Sequence, residues 1–176
     1  LNPEFTLQWS APIGEGDSRR YMINADPVAA QGQVFTLDAQ ALVTATSSDG
    51  HTQWTYDLTP ARDGGGDANG GGLAFGENKI FVTSGYGTLT ALDPKTGLPV
   101  WVHDLNAGGT GTPSVYDGVV YVVAGDGTAV ALEADTGRIR WEVDAATSSD
   151  AGVDGGAAPA VTKKFVIFAL SSGEIF

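Results

Sequence analysis

The sequence predicts an all-β chain: a β-propeller of four-stranded antiparallel blades, about four of them here, as part or half of an eight-bladed ring. Three observations predict it. Trp9, Trp54, Trp101 and Trp141 recur 45, 47 and 40 residues apart, and the last three each stand four residues after a glycine: Gly50, Gly97 and Gly137. A period of about 40 to 50 residues in a β-rich chain is that of propeller blades. Between the tryptophans run short segments rich in Val, Ile, Phe, Tyr and Thr, divided by Gly, Asp, Asn and Pro, which is strand and turn chemistry. No window carries sustained helical periodicity with caps.

The elements follow in order. Residues 1–20 are expected to supply the outer strand of a neighbouring blade, around Trp9, and a loop. Residues 21–60 form a blade closed by the Asp49-Gly50 turn and the strand through Trp54. Residues 61–106 form the next, with a longer hairpin loop at 76–79, the Thr96-Gly97 turn and the Trp101 strand. Residues 107–146 form a third, with Asp117-Gly118 and Asp126-Gly127 as two-residue hairpin turns and Thr136-Gly137 before the Trp141 strand. Residues 147–176 form an incomplete blade that stops within its third strand. Asp93 and Glu133, four residues before Gly97 and Gly137, are placed to bond turn N–H groups.

The regular placement of Trp54, Trp101 and Trp141, with Gly97 and Gly137, makes them structural. Each ring is expected to fill the cleft between adjacent blades and cover the next blade's turn. Truncating one to alanine then costs about 3–5 kcal/mol.

Composition narrows the function. Nine Lys and Arg against 21 Asp and Glu give a net charge of −12, which repels nucleic acid and anionic lipid and suits a basic partner. No cysteine is present, so disulfides, thiolate nucleophiles and zinc–thiolate sites are excluded. No apolar run is long enough for a membrane-spanning helix. His51 and His103 lie at or near outer strands, without a second histidine at ligand spacing, and are expected at the surface. The glycine-rich stretch 63–72 alternates Asp67 and Asn69 but lacks the glutamate of a calcium loop, so it reads as an inter-blade loop. Gly109-Thr-Gly111 and the turn at Gly127 lack the βαβ context of a dinucleotide site. Arg19-Arg20 is a basic pair suited to the chain's own acidic surface.

The repeats resemble the pyrroloquinoline-quinone-type propeller repeat, whose signature is Ala-x-Asp-x-x-Thr-Gly-x-x-x-Trp. Ala91, Asp93, Thr96, Gly97 and Trp101 match it fully; Ala131, Glu133, Thr136, Gly137 and Trp141 match with one acidic exchange. Ala45, Gly50 and Trp54 keep three of its positions. The segment from Trp9 to Arg20 and the stretch Gly155-Gly-Ala-Ala-Pro159 are similar to the BamB family of outer-membrane assembly lipoproteins, in an alphaproteobacterial form. The resemblance implies a non-catalytic scaffold without a cofactor, on the periplasmic face of the outer membrane. Its partner would be a periplasmic part of BamA, and its lipid anchor would lie upstream of Leu1. It places partner contacts at Ala151, Val153, Asp154 and Gly155. The family carries leucines and an arginine in that loop, so Asp154 reverses a charge and Ala151 shortens an apolar contact. The alternatives are a fragment of a quinone-dependent dehydrogenase, which would need a calcium held by Glu, Asn and Asp, or a ligand-binding propeller.

Ring closure stays open at this level. A four-blade ring sealed by its own first strand, a part of an eight-bladed protein, and a homodimer that exchanges the Trp9 strand all satisfy the repeat count.

Overall fold

The structure is a computed structural model and describes residues 6–19, 21–61, 70–108, 110–145, 157–170 and 173–176. Fourteen strands are present among them: β1 (Val28–Ala30), β2 (Gln33–Leu37), β3 (Leu42–Ser47), β4 (Thr52–Asp57), β5 (Gly71–Gly76), β6 (Lys79–Ser84), β7 (Thr88–Leu92), β8 (Pro99–Asp104), β9 (Ser114–Tyr116), β10 (Val119–Val123), β11 (Thr128–Glu133), β12 (Ile139–Asp144), β13 (Ala160–Val161) and β14 (Val166–Ile167). They form three four-stranded antiparallel meanders, β1–β4, β5–β8 and β9–β12, and a short fourth sheet of β13 and β14. A bridge between Ala169 and Ile175 adds a third segment beside the β14 line. The described residues contain no helix. The fold is a β-propeller built of four-stranded antiparallel sheets.

Strand alternation gives each sheet two faces, and successive sheets stack through them. Phe35, Leu37, Val43 and Ala45 of the first sheet bury against Leu73, Ile80, Val82 and Leu92 of the second. Phe81, Leu89 and Ala91 on the second sheet's other face bury against Val120, Val122 and Leu132 of the third. Val123 and Ala129 of the third then meet Phe168 and Leu170 of the fourth. The core is thus three apolar layers between sheets, as a repeat that cannot bury both faces alone requires.

The register explains two positions of the repeat. Ala45 pairs with Trp54, Ala91 with Trp101 and Ala131 with Trp141, and a register shift follows each alanine directly. The small residue leaves room for the indole to lie on the aromatic of the second strand: Phe35, Phe81 and Tyr121 sit 5.8, 5.8 and 6.1 Å from their tryptophans.

Two sequence expectations are corrected. The 76–79 hairpin is not long: Gly76 pairs with Lys79 across Glu77 and Asn78, both left-handed at φ 48° and 55°. The Glu77 carboxylate accepts the Gly118 N–H at 3.1 Å, so contact with the next sheet holds a glutamate where one is uncommon. Conversely, Asp126-Gly127 is wider than two residues. Ala124 N–H bonds the Thr128 carbonyl at 2.8 Å and Gly127 N–H bonds the Ala124 carbonyl at 2.9 Å, giving a three-residue loop. Residues 6–13 pair with no strand among the described residues.

Candidate functional site

The tryptophan of one sheet is seated on the next sheet's last turn. Trp54 donates its indole N–H to the Pro94 carbonyl at 2.9 Å, and Trp101 donates to the Ala134 carbonyl at 3.0 Å. A Cβ added at Gly97 would stand 2.6 Å from the Trp54 ring, and one at Gly137 would stand 2.6 Å from the Trp101 ring. Both glycines also hold positive φ, 71° and 69°. The glycine is therefore required twice, by the backbone and by the indole resting on it. Trp9 does the same one sheet earlier, donating to the Ser48 carbonyl at 2.8 Å over Gly50.

Each turn is tied by its own polar residues. The Asp93 carboxylate accepts the N–H groups of Lys95 and Thr96 and the Thr96 hydroxyl, at 2.9, 2.9 and 3.0 Å. These bonds, the Thr96 N–H foremost, hold its carboxyl below the usual carboxylate value. Glu133 is longer by a methylene and bonds side chains instead: the Thr136 hydroxyl at 2.8 Å and the Arg138 guanidinium at 3.1 Å. Its carboxyl is lowered by the same two groups, Thr136 first. In the shorter first turn the Ser47 hydroxyl donates to Asp49 and lowers its carboxyl.

The two ends of the stack differ in chemistry. At the N-terminal end the outward face of the first sheet carries Thr36, Asp38, Thr44 and Thr46, where the second and third sheets carry mostly aliphatic residues. Residues 9–15 cover that face. Thr44 donates its hydroxyl to the Ile13 carbonyl at 3.0 Å, and the buried Asp38 accepts the N–H groups of Glu15, Gln40 and Leu42 at 2.8, 2.9 and 2.7 Å. Thr44 and Asp38 thus meet the backbone that covers them, which keeps their burial from being costly, whereas the buried Thr46 hydroxyl has no partner among the described residues.

The C-terminal end is apolar and open. Ile139, Trp141, Val143, Phe165, Ile167, Ile175 and Phe176 are all exposed. Trp141 leans on Tyr121 and, edge-on, on Phe168 at 6.2 Å, yet its ring stays 38% exposed, and its indole N–H has no acceptor among the described residues. Beside it opens a cavity of about 700 Å³ whose walls include Tyr116, Tyr121, Arg140 and Lys163.

Of the residues singled out from sequence, Trp54, Gly97, Trp101 and Gly137 lie in the seats described, and Trp141 occupies the same place with no turn on it among the described residues. Ala151, Val153, Asp154 and Gly155 lie outside the described residues, as do Arg20, Gly109 and most of the glycine-rich 63–72 loop. His51 is exposed, whereas His103 is half-buried on β8. Sequence reasoning missed Asp38, Thr44, Arg140 and Lys163. Polar residues replacing aliphatic ones at Thr36 and Thr46 were the available signal for the covered end.

A family model described as outer membrane protein assembly factor BamB matches residues 39–176, more than half of the chain. Among curated proteins, the chain is 32% identical over 109 residues to the quinohemoprotein alcohol dehydrogenase ADH-IIG of Pseudomonas putida, covering 56% of this chain and 15% of that enzyme. It is 32% identical over 128 residues to the 1-butanol dehydrogenase (cytochrome c) of Thauera butanivorans, covering 66% of this chain and 18% of that enzyme. The chain therefore spans less than a fifth of the curated relatives it matches. Among solved structures, BamB from Moraxella catarrhalis superposes with a TM-score of 0.69 at 20% identity, over 90% of this chain and 47% of that one. The computationally designed Ika4 protein superposes with a TM-score of 0.69 at 16% identity, over 94% of this chain and 95% of that one. At these identities the solved structures speak to the fold.

Proposed function

The chain belongs to the family described as outer membrane protein assembly factor BamB, and on that premise we propose that it is a non-catalytic protein-binding scaffold of the outer-membrane β-barrel assembly machinery. The observation that carries this reading is the family match across residues 39–176. The partner is the periplasmic part of a BamA-like subunit. The place is the periplasmic face of the bacterial outer membrane, with a lipid anchor upstream of Leu1, as the family pattern implies. Docking runs through Ala151, Val153, Asp154 and Gly155, which precede the fourth sheet in the sequence. Ala151 and Val153 offer a small apolar contact, and Asp154 asks for a basic group on the partner. Calorimetric titration of this chain with BamA periplasmic domains tests the reading. A micromolar Kd that Asp154→Arg changes about tenfold or more supports it; absence of binding at about 100 µM refutes it.

Exchange of the Trp9 segment between two copies is the weaker form of self-assembly. It would set Glu174–Phe176 against the stretch around Pro12, whose nitrogen has no N–H to give to a ladder. Light scattering at working concentration separates the two: a mass of one chain removes the exchange dimer.

A second reading, a fragment of a quinone-dependent dehydrogenase, is favoured by the identity to two alcohol dehydrogenases. Among the described residues no three His, Cys, Asp or Glu side chains gather into a group that could hold a metal ion. Titration with pyrroloquinoline quinone and calcium tests this directly, and a saturable change in the quinone spectrum would favour the enzyme over the scaffold.

A further inference from the structure

We infer that β8, the outer edge of the second sheet, takes up an extended strand of another polypeptide, one with β-branched residues at alternate positions and an arginine or lysine seated in the cleft beside Tyr56 and Asp57. The site lies on the middle of three complete sheets, away from both ends of the stack and from residues 151–155. It goes beyond the scaffold reading and does not rest on it.

The repeat supplies its own comparison. The outer strands β4, β8 and β12 share one register, each with a shift after the alanine that pairs with its tryptophan. Three positions beside that tryptophan are exposed in every sheet: three before it, one before it and one after it. In the first sheet they hold His51, Gln53 and Thr55, and in the third Arg138, Arg140 and Glu142. In the second they hold Leu98, Val100 and Val102, which are 65, 49 and 56% exposed. Packing within the chain does not account for the apolar set, because all nine positions face solvent. Sheet edges are ordinarily blunted by charge, and β8 lacks charge at the places where β12 carries it. Among the described residues β8 pairs with β7 alone, so its other edge carries no ladder. Pro99 has no N–H, and the register shift falls between Pro99 and Trp101. A fifth strand therefore pairs along Trp101–Asp104, with Leu98 and Val100 as apolar surface at its other end.

The cleft beside β8 selects the occupant. It encloses about 240 Å³ between the first and second sheets, and its walls include Tyr56, Asp57, Thr88, Thr90 and Val102. Val102 pairs with Thr90 and Asp104 with Thr88, so Asp104 springs from the sheet face that lines the cleft. Asp57 and Asp104 are both exposed, and no basic residue lines the cleft. A long cationic side chain satisfies both features: its stem lies along Val102 and the Tyr56 ring, and its head reaches the carboxylates. A second copy of this chain is the poorer occupant. Two chains of net charge −12 repel each other, and β8 carries no lysine or arginine for the cleft.

The test titrates the 15N-labelled chain with the peptide acetyl-Thr-Val-Arg-Val-Thr-Val-Thr-amide. The expected result is saturable binding at about 10–300 µM, with the amide signals of residues 100–104 and of Tyr56 moving most. The same peptide with glutamate for arginine binds at least about tenfold more weakly. N-methylation at alternate residues removes the ladder and lowers affinity by a similar factor. In the chain, Val100→Lys with Val102→Lys abolishes binding and leaves the melting temperature within about 2 °C. The milder Val102→Thr, the residue that the first sheet carries at that place, weakens binding about threefold or more. Asp57→Asn weakens the arginine peptide about three- to tenfold and leaves the glutamate peptide no weaker. The inference is overturned by equal binding of the arginine and glutamate peptides, by undiminished binding of the N-methylated one, or by no saturation up to about 2 mM. Signals that move on β4 or β12 in place of β8 overturn it too. So does a peptide-free chain that runs as a dimer and returns to a single chain in the Val100→Lys, Val102→Lys variant, because a second copy then holds the edge.

Discussion

Replacing Gly137 by alanine isolates the energy of an indole seat, because other glycines of the chain serve as controls. At Gly137 the backbone φ is +69° and the new Cβ stands 2.6 Å from Trp101. Holding alanine in the left-handed region costs about 1–2 kcal/mol. Crowding a packed ring costs about 1–3 kcal/mol more. Reduced entropy of the unfolded chain returns about 0.4–1 kcal/mol. The expected loss is about 2–4 kcal/mol, or a Tm drop of about 5–15 °C for a domain of this size. Gly118 has nearly the same φ, +74°, but nothing within 4 Å of its Cβ. Gly118→Ala should therefore cost only about 0–1 kcal/mol. Gly50 falls between them: its Cβ would stand 3.0 Å from Trp9, which sits on a segment without a strand partner and can yield. Urea denaturation followed by circular dichroism gives the three values. In a Trp101→Ala background the Gly137→Ala cost should shrink to that of Gly118→Ala. Equal losses at Gly137 and Gly118, within about 0.5 kcal/mol, would refute the seat as the reason for the glycine.

Three further outcomes follow from the same geometry. Trp101→Ala should lose about 3–5 kcal/mol and Trp141→Ala less than half of that, since among the described residues no turn lies over Trp141; thermal melts compare them. Asp38→Ala strands three N–H groups and should cost about 2–4 kcal/mol, with trypsin cutting faster after Arg19 as residues 9–15 come loose. Asp93→Asn should be less stable than the parent at neutral pH. The folded Asp93 carboxyl is lowered below its ordinary value of 3.8, so its contribution is present above that value and is lost as pH falls through the folded one. The gap between parent and variant should therefore begin to narrow below about pH 4 and close as the pH falls through the folded value.

The repeat was legible because its strongest residues obey local rules. A tryptophan four residues after a glycine, with an acidic residue and a threonine in the turn, marks the last hairpin of a sheet without any knowledge of neighbours. The turn at Glu77 and Asn78 was not legible. Asn78 is a residue that often takes positive φ, but Glu77 is not, and Glu77 is held there by the N–H of Gly118, a residue of the next sheet. The pairing of each alanine with its tryptophan was likewise hidden, since it depends on a register shift at the bulge.

Strand alternation, turn chemistry and the tryptophan period were enough, from sequence alone, to determine an all-β stack of four-stranded sheets. Those signals are set by residues close in the chain, and they repeat. The tertiary structure decided that the two ends of the stack are unlike. Thr44 and Asp38 find backbone partners in residues 9–15, while Arg140 and Lys163 line an open cavity. That difference arises between sheets, where a polar side chain is satisfied or an indole is covered only by what the neighbouring sheet brings to it.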